Sequence, residues 1–209
     1  MYDKKRALFL TKLAILIAIE IIIAVTPLGS LPAIGLIVMT LAHIPVIIGA
    51  IVLGIKGGLI MGFVYGLLSF LVWTFMPPSP IAFLFTPFYS LGEISGNFFS
   101  LVICFVPRIL IGLLTYFFIA IIFKNVKSLF FKTFIGATIA NFICSVILLT
   151  LVYVFFGQEY AMALNAPYEA LIGIITTTIV TSGIPESILG GLVAYGVAKV
   201  YKGDTNLVD

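Results

Sequence analysis

The run LVICFVPRILIGLLTYFFIAIIF, residues 101–123, is long and apolar enough to cross a bilayer, yet it carries Arg108 directly behind Pro107. A permanent cation at membrane depth is costly, by about 2.5–3.5 kcal/mol on insertion scales, so it needs a partner, water or a task. A planar guanidinium can hold a carboxylate through two parallel hydrogen bonds, which makes capture of an anionic ligand one reading of Arg108. An internal ion pair with Glu20 or Glu186 is the other, since both carboxylates interrupt apolar runs of their own. His43 precedes Pro45 in LAHIPVIIGA, where the proline is expected to bend the helix and free a carbonyl. Asn141 in GATIANFICS can bond a ligand hydroxyl or amide, or simply another helix. Glu186 follows Pro185 in TSGIPES at an expected kink, with structural pairing and a proton relay both open. Thr176, Thr177, Thr178, Thr181 and Ser182 line the outer half of that segment, and nearly all these groups fall at the middle or outer depth that an outward cavity would collect.

What is missing narrows the chemistry. No G-x-x-x-x-G-K-[ST] occurs, so the chain has no P-loop for ATP, and the glycines of GAIVLGIK lack both the GK pair and a strand. There is no H-E-x-x-H or G-x-S-x-G, and one histidine makes a metal site or a serine–histidine pair a poor expectation. Cys104 and Cys144 lie within apolar helices without CxxC spacing and read as small core residues. Neither enzyme activity nor a resident cofactor or metal is expected.

These residues must be held by membrane-spanning helices. Of 209 residues, 62% are hydrophobic and 9% charged, against about 25% charged in soluble domains. Mean hydropathy is +1.29. Spacing predicts an all-α bundle of six transmembrane helices, through about residues 6–26, 36–54, 58–76, 98–123, 131–156 and 169–200, in one transmembrane domain covering 1–209. With the start placed inside, every Lys and Arg except Arg108 falls on the cytoplasmic side, which puts both termini there. The net charge of +3 is thus spread over loops, with no cluster that would suit a nucleic acid. The first run follows KKR but holds Glu20 and ends in TPLGS, so it is read as a span rather than a cleaved signal peptide.

The loops are unequal. Inside, LGIKGG is minimal and FKNVKSLFFK short; outside, TPLGSLPAIG, FMPPSPIAFLFTPFYSLGEISGN and GQEYAMALNAPYE are long, rich in Pro, Gly and aromatics, and free of basic residues. Such segments are expected to be ordered covers over an outward-facing site or over helix ends. Small residues recur every four positions, as Ala14 and Ala18 in the first helix and as Ala50, Gly54, Gly58, Gly62 and Gly66 across the second and third. That spacing permits close helix approach, within this chain or to a partner. The two halves show no inverted repeat, which weakens the case for a self-sufficient carrier.

Taken together, the six spans, AxxxA on the first helix, HIPVIIGAIVLGIKGGLIMGFVYGLLS, PRILIG and a basic loop before an Asn-bearing helix resemble the substrate-binding S-component of an energy-coupling-factor (ECF) vitamin transporter. The likeness covers essentially the whole chain, and its HIPVIIGAIxxG and PRxLxG segments resemble the branch with pantothenate, folate and riboflavin binders. The resemblance implies a protein of a prokaryotic cell membrane that binds a vitamin outside, topples to release it inside, and docks through Ala14 and Ala18 onto a transmembrane coupling protein driven by two cytoplasmic ATPases. It further implies pantothenate or a related carboxylate as ligand, with Arg108 and Asn141 as contacts; Phe83 and Tyr89 are expected as apolar walls for such a ligand, and His43, Asn97 and Thr177 as further contacts. Folate, riboflavin or a queuosine-type base is the alternative cargo. A proton-coupled carrier working through Glu186 or Glu20, or an assembly protein with no small ligand, are the competing classes.

Overall fold

A computed structural model describes residues 2–29 and 40–201. Helix α1 spans Tyr2–Val25, α2 His43–Phe75, α3 Phe98–Phe117, α4 Gly136–Ala163, α5 Leu171–Thr178 and α6 Ile184–Val200. Wider π turns extend α3 through Phe118–Ile122, precede α4 at Phe131–Ile135, and join α5 to α6 at Ile179–Gly183. Among the described residues five stretches are long and apolar enough to cross a membrane: Lys4–Val25, His43–Phe75, Phe98–Ile122, Phe131–Ala163 and Tyr168–Val200. Large apolar side chains such as Ile15, Ile22, Phe63 and Leu192 face outward, as they do where the solvent is lipid.

Two helices, 36–54 and 58–76, were expected where one long element is found, and residues 36–39 lie outside the described residues. Within α2, however, Gly54 has φ +70° and ψ −163°, a left-handed conformation open to glycine. A Cβ on Gly49 would sit 3.4 Å from the Gly57 carbonyl oxygen and 2.7 Å from Met61 Cγ. Eight residues along one straight helix span about 12 Å, so the chain doubles back at Gly54 and α2 is two packed arms. Pro45, expected to bend a helix, instead lies in the first turn of α2, where its missing N–H has no intrahelical bond to lose.

The second arm packs on α3 through its glycines. A Cβ on Gly58 would lie 2.9 Å from the Gly112 carbonyl, one on Gly62 2.6 Å from the Arg108 carbonyl, and one on Gly66 2.8 Å from the Phe105 ring. Two backbones therefore touch where larger residues would hold them apart, and the height and rotation of Arg108 are set by that seat.

The segment between α2 and α3 is built rather than loose. A 3₁₀ turn, Pro80–Leu84, buries Ala82, Phe83 and Leu84, and an antiparallel pair, β1 Ser90–Leu91 with β2 Ile94–Ser95, returns the chain. Gly96 presses on the Thr86 carbonyl with no room for a side chain, while Ser100 Oγ donates to the Phe83 carbonyl at 2.7 Å. By contrast, the outer stretch GQEYAMALNAPYE is not a long loop. Helix α4 reaches Ala163 across a break at Phe156 (φ −138°, ψ 24°), where the sequence-predicted span ends, and Gly157 lies against the Tyr168 ring.

Two apolar clusters result. One gathers Val46, Ile47, Ile51, Met61, Ile111 and Ala194, the other Phe83, Leu84, Ile103, Cys104, Val152, Phe156 and Leu171. Both cysteines are free and buried.

Candidate functional site

A cavity of about 210 Å³ opens where the two clusters meet, with Ala42, Tyr65, Ile111 and Cys144 from one and Leu84, Phe85, Val152 and Tyr160 from the other on its walls. Its polar lining comprises Thr40, His43, Tyr65, Ser69, Trp73, Arg108, Asn141, Ser145, Thr178, Ser182 and Glu186. An apolar concavity with a few convergent polar groups is the usual form of a small-ligand site, and this one is small beside the roughly 300–1,000 Å³ of drug-sized pockets.

Arg108 is 7% exposed, and its contacts explain how a buried cation is tolerated. Helical side chains lean toward the N-terminus, so the guanidinium reaches back along α3, and Nη1 donates to the Ile103 carbonyl at 2.7 Å. The guanidinium carbon lies 5.0 Å from the Phe85 ring centre and 5.7 Å from that of Tyr65, one ring from the segment after α2 and one from α2 itself. Among the described residues Arg108 forms no ion pair. The internal ion pair with Glu20 or Glu186 is thus not made. Glu20 is fully buried with both oxygens unpartnered among the described residues, and Glu186 Oε1 accepts from the Thr40 backbone N–H at 2.7 Å. Thr40 Oγ1 in turn accepts from Ala42 N at 3.1 Å, so Glu186 secures the entry to α2 beside His43.

Two more walls carry polar groups. Among the described residues Asn141 Nδ2 is buried without a hydrogen-bond partner, a condition rare in native cores and a reason to look for a ligand, while the His43 ring lies against the backbones of Thr40 and Glu186. The π turn Ile179–Gly183, just before Pro185, brings Thr178, Ser182 and Gly183 to the cavity. Such turns often mark functional sites. Among the described residues no cluster of His, Cys, Asp or Glu suited to a metal ion occurs.

Three expected contacts, Arg108, Asn141 and His43, converge on this cavity. Four do not. Phe83 is fully buried behind the wall, edge-on to Phe156 at 5.9 Å. Tyr89 is half-buried in the segment after α2, its carbonyl accepting from Gly96 N at 3.0 Å. Asn97 caps α3, its Oδ1 accepting from Phe99 N at 2.8 Å while its own N–H donates to Ser100 Oγ at 3.1 Å, so its side-chain oxygen is committed to the helix end. Thr177 is exposed and bonds the Gly173 carbonyl at 2.9 Å; one helical step, about 100°, separates it from Thr178 on the wall. Tyr65, Ser69 and Trp73 were not anticipated, although their spacing of four along α2 marks a single face. Ala14 and Ala18 lie exposed on α1, opposite buried Leu13, Leu16 and Glu20.

Comparison with known proteins agrees with this architecture. Residues 8–199 match the family model described as ECF transporter, substrate-specific component. Over 163 residues the chain is 34% identical to the pantothenic acid transporter PanT of Lactococcus lactis subsp. cremoris (strain MG1363), a match covering 71% of this chain and 78% of that protein. With apolar helices for a bilayer, and a polar cavity between them, the chain belongs to the substrate-specific component family of ECF transporters: a multi-pass cell-membrane transport subunit rather than an enzyme.

Proposed function

We propose that this chain captures pantothenate for an ATP-driven importer. The observation that carries the reading is the Arg108 guanidinium, on the wall of a small cavity, with one donor on a carbonyl and no carboxylate partner among the described residues. Pantothenate has one carboxylate for that cation, and hydroxyls and an amide for the unspent Asn141 amide and for His43 and Glu186 on the same wall. The similarity to a protein named as a pantothenic acid transporter supports the same ligand.

In this reading the two arms of α2 make separate crossings, for six in all, and the basic residues of both ends face the cytoplasm. Ala14 and Ala18 form the exposed strip that docks a transmembrane coupling protein, and two cytoplasmic ATPases supply the energy that a chain without a P-loop cannot.

The test is binding by the purified chain in detergent. Trp73, the single tryptophan, lies on the cavity wall with its ring 4.6 Å from that of Phe85, so its fluorescence reports occupancy. Pantothenate should change that signal and raise Tm by an amount that grows as ln(1 + [L]/Kd), while folate and riboflavin do neither. A response to another vitamin and none to pantothenate overturns the choice of ligand. For docking, Ala14→Leu should abolish uptake in cells with binding retained; unchanged uptake removes the docking assignment.

A further inference from the structure

Pro107 sits in the interior of α3, a position where proline is normally costly. An α-helical N–H at position 107 would bond the carbonyl of residue 103. Proline has no N–H, so the Ile103 carbonyl is left open, and it is this carbonyl that accepts from Arg108 Nη1 at 2.7 Å. The proline and the residue after it therefore form one device.

We propose that Pro107 is a positioning residue for ligand binding: it opens a backbone carbonyl that holds the Arg108 guanidinium ready for an anion. The proposal rests on the reading that Arg108 takes the ligand carboxylate. Three observations make the guanidinium pre-set. Its backbone is seated on Gly62, its plane is flanked by Phe85 and Tyr65, and its Nη1 is tied to Ile103. A guanidinium has five N–H donors, so one bond to the carbonyl leaves enough for a two-point grip on a carboxylate. With an ordinary residue at 107, the helix N–H would compete for the carbonyl and the guanidinium would lose its tether. A side chain already ordered loses less freedom on binding, so the device acts on affinity.

The experiment uses the full chain in detergent as wild type, Pro107→Ala, Arg108→Met and the double variant. Affinity is read from Trp73 fluorescence for pantothenate and for pantothenol, the analogue with an alcohol in place of the carboxylate; Tm is read without ligand. Pro107→Ala should weaken pantothenate at least tenfold and pantothenol less than twofold, with no fall in Tm because the helix regains a bond. Arg108→Met should lower Tm more in the wild type than beside Pro107→Ala, since only the wild type is left with an orphaned carbonyl. Equal losses for the two ligands, or additive Tm changes, would overturn the proposal in favour of a proline that merely shapes the helix. If wild type binds neither ligand, the pantothenate reading fails by itself, and the Tm cycle still decides the tether. Should Pro107→Ala not fold, Arg108→Lys replaces it. A single ammonium cannot span the Ile103 carbonyl and a carboxylate as a fork does, so a tenfold loss confined to pantothenate is expected, and wild-type affinity for both ligands counts against the device.

Discussion

Pro107–Arg108 and Pro185–Glu186 are the same arrangement twice: a proline within an apolar segment, followed at once by a charged residue on the wall of one cavity. The two charges are handled oppositely. Arg108 is satisfied within its own helix, by the carbonyl its neighbour leaves open. Glu186 reaches across 146 positions to the Thr40 N–H, and the chain meets its proline by widening into the π turn Ile179–Gly183. A locally satisfied charge keeps its remaining donors for a ligand, whereas a charge satisfied at long range ties two parts of the wall together. The difference assigns binding to the first pair and assembly of the pocket to the second.

That contrast breaks most sharply at Arg108. Arg108→Ala removes two charge-assisted bonds to a carboxylate, worth about 3 kcal/mol, and should weaken pantothenate by roughly 100-fold, read by Trp73 titration. Removing Glu186 by Glu186→Ala should cost about 2 kcal/mol of stability by orphaning the Thr40 N–H, seen as a Tm several degrees lower. Pantothenate affinity should fall less than with Arg108→Ala, and a larger fall in affinity with unchanged Tm would reverse the two assignments. Pro185→Ala lets the π turn tighten, turning Ser182 away from the cavity; about a fivefold loss of affinity, near 1 kcal/mol, is expected with Tm held or raised. The finest distinction is between two hydroxyls of one membrane-spanning segment that face different ways. Ser182→Ala should weaken binding by about 1 kcal/mol, while Thr177→Ala, exposed and bonded to its own helix, should leave titration and melting curves unchanged.

The limits of reading the chain follow the same logic. Arg108, Asn141 and His43 were legible because a polar group in an apolar run has to be accounted for wherever it lies. Asn97 and Thr177 lie off the cavity for a related reason: their side-chain oxygens serve the backbone beside them, a cap at one and a back-bond to Gly173 at the other. Tyr65 and Trp73 were passed over because an aromatic residue in a membrane helix reads as core until the face it occupies is known.

Composition and spacing alone determined that the chain is helical, lies in a membrane, and needs an explanation for Arg108, because hydropathy and insertion cost belong to each segment by itself. Tertiary structure decided that Arg108 pairs with neither carboxylate among the described residues, where α2 doubles back, and that Glu186 reaches Thr40. Those outcomes depend on which backbones approach at Gly58 and Gly62 and which backbone N–H comes within reach of Glu186. They are properties of pairs of segments, and no single run of residues contains them.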